Sequence, residues 1–86
     1  MRSFIVKDYG WILRGKQRRV ILKTLDKPKT PTLIKEETKI KVSNVSDVLR
    51  AMKKRKIVRC LNPRDKIGRL YELTSKGKSL LNELNK

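Results

Sequence analysis

The chain has 86 residues, 37% hydrophobic and 37% charged, and its 24 Lys and Arg against 8 Asp and Glu give a formal net charge of +16. No apolar run approaches the roughly 18 residues of a membrane span, and the start, Met1-Arg2-Ser3-Phe4-Ile5-Val6-Lys7, lacks the apolar region and cleavage site of a signal peptide. There is no histidine, the commonest general base and metal ligand, and the one cysteine can build neither an internal disulfide nor a zinc site.

One domain over residues 1–86 is expected. A chain this short buries only about 60% of its unfolded surface, so its core is thin and oligomerisation would help it. The basic surface requires a polyanion. Nucleic acid leads, because each phosphate contact by Lys or Arg releases condensed counterions; anionic membrane is the competitor, but the apolar faces look built for a protein core. Catalysis has little to stand on. The adjacent carboxylates Glu36 and Glu37 point apart on a helix, and Gly10, Gly15, Gly68 and Gly77 are isolated rather than gathered in a phosphate loop. The chain reads as no enzyme, with no metal and no cofactor.

In chain order, residues 1–12 are the least regular. Phe4, Ile5, Val6, Tyr9, Trp11 and Ile12 fit neither period, and Gly10 and Gly15 argue against one long helix from the start. The segment either caps the core or contributes to a dimer contact. A helix is expected over 16–25, with Leu13, Val20, Ile21 and Leu25 on one face and Arg14, Arg18, Arg19 and Lys23 around the others. Asp26-Lys27-Pro28-Lys29 ends it. Thr30 as N-cap and Pro31 at the first helical position open a second helix that ends by Thr38 or Lys39.

The third helix, 42–55, has the cleanest period. Val45, Val48, Leu49 and Met52 form its apolar stripe, and Ser43, Asp47, Arg50 and Lys54 lie opposite, flanked by Ser46 and Lys53. Strands over 57–61 and 69–73 follow, joined by a tip in which Asn62-Pro63 and Gly68 bracket Arg64-Asp65-Lys66-Ile67. Cys60 reads as a small core residue, and Tyr71 as packing beside Leu73. A last helix over 74–85 turns Leu80, Leu81 and Leu84 inward. The fold class is mainly α with a small β-hairpin: a winged helix-turn-helix with a three-helix core, a wing and a C-terminal helix.

On such a frame Ser43, Asn44 and Ser46 stand near the start of the third helix, where base edges are reached. Arg50 has the length for a guanine edge or a phosphate. Asp47 either accepts from a cytosine amine, orients Arg50, or merely complements the helix dipole. The run Lys53-Lys54-Arg55-Lys56 is by itself a solvated helix end that suits the helix dipole, and one or two of the four, Lys54 among them, are expected to touch phosphate. Arg64, Lys66 and Arg69 of the wing 62–68 and its flank would follow the backbone or enter the minor groove. Ile67 touches sugar or is a tolerated surface residue. Arg14, Lys16, Arg18 and Arg19, with no acid between them, form a further backbone-contacting patch.

The stretch Thr38-Lys39-Ile40-Lys41-Val42-Ser43-Asn44-Val45-Ser46, followed by Leu49 and Lys56-Ile57-Val58, resembles the turn and recognition helix of winged helix-turn-helix regulators. Gly68-Arg69-Leu70-Tyr71-Glu72-Leu73-Thr74-Ser75-Lys76-Gly77-Lys78 resembles their second wing strand and following helix. Over about residues 13–84 the chain is similar to small archaeal regulators of the MarR/ArsR-like type. The resemblance implies a cytoplasmic, nucleoid-associated protein that binds double-stranded DNA, as a homodimer, to regulate transcription. Two residues depart from the pattern: Lys39 replaces the usual glycine of the turn, and Lys41 the usual Ser or Thr cap. The chain is shorter than full MarR proteins, so no small-molecule effector is expected. A sequence-neutral architectural chromatin protein and an RNA-binding or ribosomal winged helix are the alternatives.

Overall fold

The structure, a computed structural model, describes residues 3–86. Five helices and one hairpin follow in the order α1 (Ser3–Leu13), α2 (Lys16–Thr24), α3 (Pro31–Thr38), α4 (Val42–Lys54), β1 (Val58–Cys60), β2 (Tyr71–Leu73) and α5 (Ser75–Leu84). The hairpin is antiparallel, with Val58 opposite Leu73, Arg59 opposite Glu72 and Cys60 opposite Tyr71. The expected winged helix-turn-helix is therefore present, with an additional helix at its start.

That helix corrects the reading of residues 1–12. Gly10 lies inside α1, and the break falls at Arg14 and Gly15 instead. Burial outweighs the helix propensity that glycine lacks: Ile12 is fully buried, and Tyr9 and Trp11 pack against the core. The segment caps the core. The side chains of Phe4 and Ile5 lie outside the described ones. Because the chain restarts at Gly15, Leu13 belongs to α1 and is exposed, and Leu22 takes the core position in α2 beside Ile21.

The core gathers Ile34 of α3, Val45, Leu49 and Met52 of α4, Ile57, Val58 and Leu73 of the hairpin and Leu80 of α5. Val48 flanks the α4 stripe, half-buried. Thr30 caps α3 as expected, its Oγ1 accepting from the Leu33 N–H at 3.2 Å, with Pro31 at the first helical position. Lys39 takes the left-handed conformation that the turn demands, at φ 63° and ψ 16°, and Lys41 leads into α4 without a side-chain cap.

One feature was not legible as an element. Lys29, within the loop that ends α2, pairs antiparallel with Tyr71: its N–H donates to the Tyr71 carbonyl at 3.0 Å and its carbonyl accepts from the Tyr71 N–H at 2.9 Å. A single pairing residue shows no periodicity in sequence, least of all between Pro28 and Pro31. The hairpin–α5 junction falls at Thr74, where the last helix is expected to begin. Thr74 caps α5 by accepting from the Gly77 N–H at 3.2 Å, and its own N–H donates to the Ile57 carbonyl at 3.0 Å. A Cβ at Gly77 would overlap that same Ile57 carbonyl oxygen, so the close approach requires glycine.

Candidate nucleic-acid interface

Burying Val45, Leu49 and Met52 turns the opposite face of α4 to solvent, and the Lys29–Tyr71 bridge draws the hairpin up against the start of α3. Between them lies a groove of about 550 Å³. Thr30, Pro31 and Thr32 line one wall, Ser46, Arg50 and Lys53 the floor along α4, and Lys66, Ile67, Gly68, Arg69 and Tyr71 the wing side. Four cations and no carboxylate face this space, so its field is strongly positive.

Arg50 does not swing freely. Its Nη1 donates to Asp47 Oδ1 at 3.0 Å, with both side chains about three-quarters exposed. The wing tip is braced likewise. Asn62 Nδ2 donates to Asp65 Oδ2 at 2.9 Å and to the Gly68 carbonyl at 3.1 Å, and Asn62 Oδ1 accepts from the Leu70 N–H at 2.6 Å. Arg69 Nε donates to the Asp65 carbonyl at 2.7 Å, which ties its guanidinium back to the tip. Gly68, at φ 72°, supplies the left-handed step of the tip. On the outer face of the hairpin Arg59 pairs with Glu72 across the strands.

Of the residues expected at the site, the groove brings together Ser46, Arg50, Lys66 and Arg69. Ser43, Asn44 and Lys54 are exposed on α4 and Arg64 at the tip, all outside the groove lining. Lys53, rather than Lys54, completes the floor. Thr30, Thr32 and Tyr71 were missed because their nearness to α4 depends on the one-residue bridge at Lys29. Tyr71, expected inside the hairpin beside Leu73, is half-buried and shows its free part to the groove. Cys60 is half-buried rather than a core residue.

Arg18 and Arg19 of α2 and Arg55 at the end of α4 have other partners. Arg18 donates to the Trp11 carbonyl at 2.8 Å and lies 4.2 Å from the Trp11 ring centroid, while Arg19 donates to the Leu13 carbonyl. Both satisfy the last carbonyls of α1, which have no partner within the helix. Arg55 covers the Trp11 ring at 4.3 Å and pairs with buried Asp8 at 2.9 Å. Asp8 also pairs with Lys76, whose Nζ donates to the Arg55 carbonyl at 2.8 Å. Arg14 is exposed.

No protein-family model matches the sequence, and no curated protein matches it. Solved structures do. A MarR family transcription regulator, 20% identical, superposes with a TM-score of 0.69 over 78% of this chain and 46% of its own. ZitR of Lactococcus lactis, 25% identical, gives 0.64 over 73% of this chain and 44% of its own. A variant of MarR from E. coli complexed with operator DNA, 21% identical, gives 0.70 over 94% of this chain and 61% of its own. The fold is the MarR-type winged helix. This chain spans about half the length of those regulators. Among the described residues no helix is long and apolar enough to cross a membrane.

Proposed function

We propose that this winged helix binds double-stranded DNA and regulates transcription by discriminating among sequences. The observation that carries the proposal is the groove between α4 and the wing, where Arg50, Lys53, Lys66 and Arg69 converge around Ser46 and Thr32 without an acid among them. In this reading α4 enters the major groove with Ser43, Asn44, Ser46 and Arg50 toward base edges. Asp47 holds the guanidinium of Arg50 in one pose. Lys53 and Lys54 meet phosphates, and the wing, with Arg64, Lys66 and Arg69, follows the backbone into the minor groove. Arg18 and Arg19 act first as caps on α1, so phosphate contact from that corner falls to Arg14 and Lys16. The protein works near the nucleoid. A homodimer formed through α1, where Val6 and Leu13 remain exposed, would place two half-sites about one helical turn apart.

Binding-site selection followed by footprinting tests the reading. Arg50→Ala is expected to cost about 1–3 kcal/mol at one base position and to relax preference there, while Lys54→Ala weakens all sequences alike and lowers the salt slope by about one. An unchanged selection profile for Arg50→Ala would remove α4 from base recognition. A selected site should exceed random DNA about 10³-fold or more at one salt concentration. A ratio below about ten would point to an architectural protein, and a preference for duplex RNA to an RNA-binding one.

A further inference from the structure

The wing tip carries an apolar side chain that the fold does not use. Ile67 is 92% exposed, whereas the next most exposed large hydrophobic residue among the described ones, Val6, is 53% exposed. A mobile tip could fold such a group away, but this tip is braced by Asn62 across to Asp65 and Gly68 and by Arg69 back to Asp65. Isoleucine is β-branched and stiff about χ1, so the side chain projects as a rigid knob. Lys66 and Arg69 stand either side of it on the groove.

We propose that Ile67 is a wedge: it enters the minor groove of bound duplex, opens a base step and bends the DNA, while Lys66 and Arg69 neutralise the flanking phosphates. This rests on the DNA-binding reading above. Apolar side chains inserted between base steps partly unstack them and kink the duplex by about 20–90°. Pyrimidine–purine steps deform most easily, so the wedge favours such steps at a position where no hydrogen bond reads a base. The cations supply the attraction and the isoleucine determines the shape of the DNA.

Energy transfer between dyes at the two ends of a selected duplex, with the full chain bound, tests this. The wild type is expected to bend the duplex by at least about 20°. Ile67→Ser, at a position that touches no core residue, should keep the fold and the salt slope but lose more than half of the bend; Ile67→Leu should keep the bend. A straight duplex in the wild-type complex overturns the wedge, as does a bend unchanged by Ile67→Ser. A wild type without any salt-dependent affinity for duplex DNA overturns the DNA-binding reading itself, and that outcome differs from binding without bending.

Discussion

At the scale of single residues, two lysines stand where glycine would be easier. Lys39 at φ 63° and Lys56 at φ 64° are both left-handed, a conformation that costs an L-residue roughly 1–2 kcal/mol. Lys39 must adopt it because the short turn between α3 and α4 leaves the backbone no other route. Lys39→Gly should therefore stabilise the protein by about 0.5–1 kcal/mol, the strain relieved exceeding the freedom that glycine loses on folding. Urea denaturation measures this, and a loss of stability would mean that the lysine side chain contributes something the φ angle does not reveal. The exposed Asp47–Arg50 pair adds about 0–1 kcal/mol at most.

At the scale of elements, the loop between α2 and α3 is held by one buried cation. Lys29, 4% exposed, meets Asp26 at 3.1 Å and Glu37 at 2.5 Å, and Glu37 also accepts from Thr24. Burial pulls the ammonium of Lys29 down, but the hydrogen bonds it donates to Glu37 and Asp26 outweigh it and leave its pKa above 10.5. The hydrogen bond from Lys29 holds Glu37 below its ordinary 4.5, helped by Thr24, and holds Asp26 below 3.8. Carboxylates lowered in the folded state stabilise it above their unfolded values and lose that contribution as pH falls through the folded ones. Lys29, raised, contributes fully below 10.5 and loses its contribution as pH rises through its folded value. The melting temperature should therefore fall on acidification below about pH 4.5, and Glu37→Gln should flatten that acid limb. Identical pH profiles for the two proteins would show that the node does not hold the loop. The same loop carries the bridge to Tyr71, so its loosening also opens the wall of the groove.

At the scale of the whole molecule, a second polar node joins the added N-terminal helix to the winged core. Asp8 of α1 lies buried between Arg55 at the end of α4 and Lys76 of α5, with Trp11 sandwiched between Arg18 and Arg55. Removing the acid leaves two cations facing each other with no counter-charge. Asp8→Ala should cost about 2 kcal/mol, below the range for a fully buried pair because Arg55 is partly exposed. Urea unfolding followed by the fluorescence of Trp11 reports it, and a cost below about 0.5 kcal/mol would mean that apolar contacts alone seat α1. Among the described residues, Arg50 is the one groove-lining cation with an acidic partner, Asp47, so positive charge is concentrated there.

The sequence by itself determined what periodicity and local chemistry can encode. The stripe of Val45, Leu49 and Met52 set the inward face of α4 and hence Ser46 and Arg50 on the outward one. Thr30-Pro31 set the start of α3, Asn62 to Gly68 the hairpin tip, and Thr74 the start of α5. Lys39 was legible as a strained position because the tight turn needs a left-handed residue wherever the chain places it. The tertiary structure alone decided the rest, because those features depend on contacts between residues far apart in the chain. α1 forms despite Gly10 because its buried face repays the propensity lost. Arg18, Arg19 and Arg55, which look like free cations in sequence, turn to carbonyls, an aromatic ring and a buried acid that only folding brings near. One pair of backbone hydrogen bonds at Lys29 places the wing beside α3, and so turns a helix and a hairpin into one groove.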